Sequence, residues 1–193
     1  MARTKRFICD EVLDKAARVF WRVGYEAASI QALEQETGLG RGSLYNAFGD
    51  KAGLYLAVLD RYAATEGAAP LVHLDNPDIR AGIEALLRTI AARMDMPGRP
   101  RGCLLTNACI GVHGDAAVEA RVAAHVAGVQ GALAAAIGRA ATAGQIPRNT
   151  DPLTLAQYYA AVIRGLGVSH RSGSDRVALD AVIDVAMRAW PEQ

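Results

Sequence analysis

Apolar residues recur three and four positions apart along nearly the whole chain, and no long stretch alternates apolar with polar, so the pattern predicts an all-α protein of about nine helices. The stripe Val12, Leu13, Ala16, Ala17, Val19 and Phe20 predicts a first helix from near Asp10 to Val23, ended by Gly24. Ser29 is a candidate N-cap for a short helix carrying Ile30 and Leu33, which Gly38-Leu39-Gly40 interrupts as a tight turn. A second short helix follows with Leu44 and Phe48 facing inward. Gly49-Asp50 ends it and caps a fourth helix toward Ala64, where Leu54, Val58 and Tyr62 repeat every four residues. The pattern breaks from Gly67 to Pro77. Further helices are predicted from Pro77-Asp78 to just before Pro97, from Cys103 to Val112, from Asp115 to Ala143, from Asp151-Pro152 to Ser169, and from Asp175 to Trp190.

Two short helices joined by a glycine turn form the unit that sets a recognition helix into the DNA major groove. The stretch Gly24 to Tyr55 resembles the DNA-binding domain of the TetR family of bacterial transcriptional repressors. The resemblance is carried by Gly24-Tyr25, Ser29-Ile30, Gly38, Arg41-Gly42-Ser43-Leu44-Tyr45, Phe48 and Lys51. Three positions depart from the family pattern. Ala28 replaces a usual Thr, Gly40 a common Ser or Asn, and Ala47 a common aromatic or His, each removing a possible DNA contact. The resemblance implies a helix-turn-helix domain, taken as residues 1–50, and a larger helical regulatory and dimerisation domain over 51–193. It also implies a homodimer, a palindromic double-stranded DNA operator, a small-molecule effector that releases the repressor, and no cofactor. Repression rather than activation rests on this analogy alone.

Side-chain chemistry assigns candidate DNA contacts within that frame. Arg41, at the start of the recognition helix, can pair with guanine O6 and N7 or hold a phosphate. Gly42 lets the helix approach closely, and Ser43 can bond a base edge or a phosphate. Tyr45 offers its hydroxyl to phosphate, and Asn46 can pair with adenine or face solvent. Lys51, near a helix start, is suited to phosphate, and Ser29 can cap its helix and bond phosphate together. Leu44 and Phe48 read as core.

Charge adds little, since the net charge is only +1. The local excess is Arg3, Lys5 and Arg6, which read equally well as a DNA-contacting arm or a frayed, solvated tail. Hydrophobic content of 51% over 193 residues suffices for one or two small domains. No signal peptide and no uninterrupted apolar run of about 18 residues is evident, so a cytoplasmic protein without a membrane partner is expected. Cys9, Cys103 and Cys109 lack metal-ligand spacing and suggest a reducing compartment.

The effector site is less legible. Met94, Cys103, Asn107, His125, Tyr158 and Tyr159 are candidate pocket residues for a hydrophobic small molecule, against the plainer reading that each is core. Cys103 follows Gly102, with Arg99 and Arg101 just before it. A helix start and nearby cations favour a thiolate that senses electrophiles or oxidants; the plainer reading is a small buried hydrophobe. Leu155, Tyr159, Ile163 and Leu166 in one of the last two helices, with Leu179, Val182, Ala186 and Trp190 in the other, read as a four-helix dimer contact or as packing within one subunit. Ala160, Gly165 and Gly167 would permit close backbone approach. An enzyme is not indicated, because His73, His113, His125 and His170 are scattered and no phosphate loop follows a strand. A dimeric helical adaptor with a degenerate helix-turn-helix is the remaining alternative.

Overall fold

The computed structural model describes residues 2–111 and 114–192, with side chains from residue 9 onward. Nine α-helices and no strand occur among the described residues. They are α1 (Ala2–Ala27), α2 (Ile30–Thr37), α3 (Arg41–Phe48), α4 (Lys51–Tyr62), α5 (Ile79–Met94), α6 (Leu104–Gly111), α7 (Ala116–Thr142), α8 (Pro152–Arg171) and α9 (Arg176–Met187). The break expected at Gly67 to Pro77 holds a π-helical turn, Ala63–Gly67, and a 3-10 segment, Ala69–Asp75. The side chains of Arg3, Lys5 and Arg6 lie outside the described residues, as do Val112, the expected end of the sixth helix, and His113.

α1 begins at Ala2, well before the expected Asp10. Ala, Arg and Lys are strong helix formers, so the basic segment continues the helix without an apolar stripe to announce it. The expected stop at Gly24 is present as a break in the backbone, φ 83° and ψ 171°, after which the chain turns once more to Ala27.

Two compact units emerge. The first comprises residues 1–66 and 103–123, the second residues 67–102 and 124–193. A single cut in the sequence separates neither, because α6 and the first two turns of α7 join α1 to α4.

In the first unit α1 packs on α2, α4 and α6. Phe20, Leu33, Leu44, Tyr55, Leu59, Leu104 and Val118 fill its centre. Each such apolar side chain contributes roughly 1.5–3 kcal/mol by leaving water. Phe20 and Tyr55 meet at 4.7 Å between ring centroids. Arg61 on α4 pairs with Asp10 at 3.0 Å and Asp14 at 2.6 Å on α1. Arg121 on α7 pairs with Asp60. These exposed pairs orient α4 more than they stabilise it.

In the second unit α5 packs on α8 and α9 around Ile83, Leu86, Leu133, Ile137, Tyr159, Leu166 and Leu179. Asp78, Asp151 and Asp175 cap α5, α8 and α9 through their carboxylates. Arg88 on α5 gathers Glu84 at 2.8 Å, Asp180 at 3.3 Å and Asp184 at 2.7 Å.

The stripes expected to face a partner subunit need correction. Tyr159, Leu166, Leu179, Ala186 and Trp190 are buried within their own unit, as are Ala160 and Gly167, while Leu155 and Ile163 are half-buried. Of the residues named, only Val182 and Gly165 are exposed. Both helices are apolar on two faces, and spacing alone does not say which face the subunit's own core takes. The bare apolar face runs through Tyr158, Ala161, Gly165 and Val168 on α8, and through Ala178, Ala181, Val182 and Val185 on α9. α7 is apolar and long enough to cross a membrane by length and composition, a test that a helix of a water-soluble fold also passes. Its charges have partners inside the protein: Arg121 with Asp60, and Arg139 with the Leu74 carbonyl at 2.6 Å.

Candidate nucleic-acid interface

α2 and α3 are set by local hydrogen bonds that their sequence supplies. The Ser29 Oγ accepts from Ala32 N at 3.1 Å, so Ser29 caps α2 as expected. α2 ends at Gly38, whose φ of 76° is left-handed and natural only for glycine, and whose N–H returns to the Glu34 carbonyl. Buried Thr37 donates to the Leu33 carbonyl at 2.6 Å and accepts from Leu39 N at 3.3 Å, holding the turn from inside.

Gly40 stands at the N-cap of α3 and has no side chain to cap with. Glu34 takes over: its Oε1 accepts from Arg41 N at 2.5 Å. The departure at Gly40 therefore leaves the helix capped, from a carboxylate six residues upstream. Ala28 is also reassigned. It is 2% exposed in the core, so its methyl packs inward and the position is a packing site.

On α3, Leu44 is buried and Phe48 half-buried, while Arg41, Gly42, Ser43, Asn46 and Ala47 are exposed along the opposite side. Tyr45 is half-buried, and the Arg41 guanidinium lies 5.1 Å from its ring centroid. That cation–π contact orients the guanidinium without consuming its donors. A Cβ on Gly42 would meet nothing within 4 Å, so packing inside this chain does not require glycine there.

Gly49 ends α3, and Asp50 caps α4 through Gly53 N at 2.8 Å. Gly53 is needed for another reason: a Cβ there would lie 2.0 Å from the Phe48 carbonyl oxygen. The sequence signal was an isolated glycine inside a helical pattern, and its reason is the close α3–α4 junction. Lys51 donates to the Glu26 carbonyl at 3.1 Å and sits 4.8 Å above the Tyr25 ring.

The candidate effector residues divide between the units. Cys103 and Asn107 belong to the first, and Met94, His125, Tyr158 and Tyr159 to the second. Cys103 precedes α6 instead of lying in it, with its carbonyl accepting from Asn107 N at 2.8 Å. Its thiol, half-buried, accepts from the Tyr62 hydroxyl at 3.6 Å. The two arginines before it have other partners: Arg101 donates to the His170 and Ser174 carbonyls, both at 2.7 Å, and Arg99 reaches the Met96 sulfur at 4.0 Å. Asn107 donates weakly to the Trp21 carbonyl at 3.5 Å, and its buried Oδ1 has no hydrogen-bond partner. Tyr159 is fully buried with its hydroxyl equally unpartnered, and burial pushes that phenol well above its ordinary range. Tyr158 is 38% exposed and His125 half-exposed. An open groove of about 380 Å³ in the second unit is lined by Pro77, Asp78, Arg80, Gln145 and Trp190, none of them an expected pocket residue.

A buried Leu44 with a polar, outward recognition face behind a glycine turn defines a helix-turn-helix DNA-binding regulator. The family model described as bacterial regulatory proteins, tetR family, matches residues 12–58, and a tetracyclin repressor-like C-terminal domain matches residues 80–186. The transcriptional repressor ComR of Escherichia coli K12 is 31% identical over 98% of this chain and 92% of its own length. The repressor BdcR of the same strain is 33% identical over 58% of this chain and 55% of its own. A solved cysteine mutant of the TetR-family regulator CifR, complexed with 26-base-pair operator DNA, is 35% identical, covers 94% of this chain and 96% of that one, and superposes with a TM-score of 0.88. The chain belongs to the TetR family.

Proposed function

We propose that this protein is a homodimeric, cytoplasmic repressor that binds a palindromic operator and is released by a small, predominantly apolar effector. The observation that carries it is the face of α3: Arg41, Gly42, Ser43 and Asn46 exposed together on a helix anchored by Leu44. Residues 1–50, with Lys51 at the start of α4, supply the DNA-contacting element, and the rest of the chain the regulation and dimerisation. Arg41 and Asn46 are the base readers, Gly42 allows close approach, and Ser29, Ser43, Tyr45 and Lys51 hold phosphates. Two copies join along the bare apolar face of α8 and α9, and reading two half-sites requires their recognition helices to stand about 34–36 Å apart, or at a multiple of that. Within the second unit, the buried and unpartnered Tyr159 hydroxyl supports a role in holding an effector's polar group. An effector releases the operator only if it binds the released conformer more tightly.

The test is selection of bound duplexes from sheared genomic DNA by the purified protein at near-physiological salt. One enriched palindrome supports the reading. No enrichment above non-specific binding sinks it in favour of a helical adaptor.

A second reading makes Cys103 the sensor. The Tyr62 hydroxyl on α4 donates to its sulfur, so a modification of that sulfur would break the contact between α4 and the start of α6. Rapid alkylation of Cys103 with loss of operator binding, abolished by Cys103→Ser, is expected. A thiol inert in the folded protein overturns it.

A further inference from the structure

We propose that Asp115, at the start of α7, is a positioning residue for operator binding, acting through Tyr25 on Lys51. The proposal rests on the reading of Lys51 as a phosphate contact.

Lys51 stands at the first position of α4, where the ammonium lies against two groups of α1. One of its donors goes to the Glu26 carbonyl at 3.1 Å, and the charge rests 4.8 Å above the Tyr25 ring. An ammonium has three donors, so at least one remains for a phosphate oxygen. Held from beneath in this way, the lysine gives up less rotamer freedom when it binds.

The Tyr25 ring is itself fixed. It stacks on Tyr55 at 4.9 Å and 26°, and its hydroxyl donates to Asp115 Oδ2 at 3.4 Å. Burial, with the Asp115 carboxylate beside it, holds the Tyr25 phenol above its ordinary range, so it stays a donor. Donation to an anion also enriches the ring in electron density, which favours the cation over its face.

Asp115 has a second duty. Its Oδ1 accepts from Ala117 N at 3.1 Å and Val118 N at 3.2 Å, capping α7. One carboxylate therefore fixes both the start of α7 and the ring beneath the operator lysine. All of these residues belong to the first compact unit. None of the helix-turn-helix positions would point to Asp115, which is 64 residues from Lys51 in the chain.

The experiment measures affinity of the full-length protein for the selected duplex and for a random-sequence duplex of equal length. Tyr25→Phe keeps the ring and its stacking, and Asp115→Asn keeps a capping oxygen. Each is expected to weaken binding to both duplexes by about 2- to 10-fold, the range for one loosened side chain. In a Lys51→Ala background both effects should vanish, and Asp115→Asn should add nothing to Tyr25→Phe. Effects that persist without Lys51 overturn the proposal, because they would show a structural role. Lys51→Ala alone is expected to flatten the salt dependence by about 0.9 per lost contact. If it changes neither affinity nor slope, the phosphate reading fails and takes the proposal with it. Should Asp115→Asn lower the melting temperature through the cap, Tyr25→Phe carries the test.

Discussion

α3 and α9 are short amphipathic helices that each bury one side and leave the other bare, but the bare sides differ in chemistry. α3 shows Arg41, Ser43 and Asn46 to solvent, groups that water satisfies. α9 shows Val182 and Val185, at 44% and 61% exposure, which water does not satisfy. A polar bare face can serve an isolated chain and a DNA complex alike. An apolar bare face, with Tyr158 and Val168 also exposed on α8, favours a covered state, and an identical face on a second copy would meet that need in the proposed two-fold contact.

The largest expected effect breaks the first side of this comparison. Gly53→Ala drives a Cβ into the Phe48 carbonyl, from 2.0 Å, so α3 and α4 must part. We expect a loss of about 3 kcal/mol in urea unfolding, at the upper end of overpacking costs, and failure to bind the selected duplex. A stable, operator-binding variant would show that the close α3–α4 junction does not set the recognition helix.

On the second side, paired variants separate core from interface. Leu166→Ala, at a fully buried site, should cost about 2–4 kcal/mol of stability. Val185→Asp should leave helical content intact and shift the protein to monomers in sedimentation. An unchanged oligomer in Val185→Asp would remove α9 from the interface, whatever its exposure.

Within the recognition face, Arg41→Ala should relax preference at one base position by about 1–3 kcal/mol, read from competition among single-base operator variants. A loss equal at every sequence would make Arg41 a phosphate contact. Glu34→Ala should cost about 1 kcal/mol by uncapping α3, and Gly40→Ser should recover most of it with a local cap. No recovery would mean that Glu34 acts other than as a cap.

These contrasts also show what was legible in the sequence. The turn after α2 and the N-caps of α2 and α4 rest on single residues with one conformational purpose, Gly38, Ser29 and Asp50, so local rules found them. The substitute cap from Glu34, the need for Gly53 and the Asp115–Tyr25 bond were hidden because each depends on how elements pack. The error on α8 and α9 has the same origin. Ala-rich helices with apolar residues on two sides carry no local mark of which side meets their own core. The basic start of α1 was misjudged for the opposite reason, since helix-forming residues without an apolar stripe leave no periodic signal.

His170 gives the smallest effect and separates the two units by pH. It is 3% exposed, and its Nδ1 accepts from Gly102 N at 2.9 Å, an arrangement available only to the neutral ring. Burial, then the Arg101 guanidinium, holds its pKa below the ordinary imidazole value. When the pH falls below about 6.5, the unfolded chain takes up a proton that the folded chain refuses. Stability from this site is therefore complete above about pH 6.5, declines as the pH drops toward the depressed native value, and levels off below it. The described histidines, His73, His125 and His170, all lie in the second unit, where Trp190 is a fluorescent reporter once Trp21 is replaced by Phe. Urea unfolding of that variant between pH 7.5 and about 5 should show the midpoint falling. With His170→Asn, which keeps a neutral acceptor for Gly102, the fall should be shallower. An equal slope in both proteins would assign the acid sensitivity to other groups and leave the Gly102–His170 bond without a role in it.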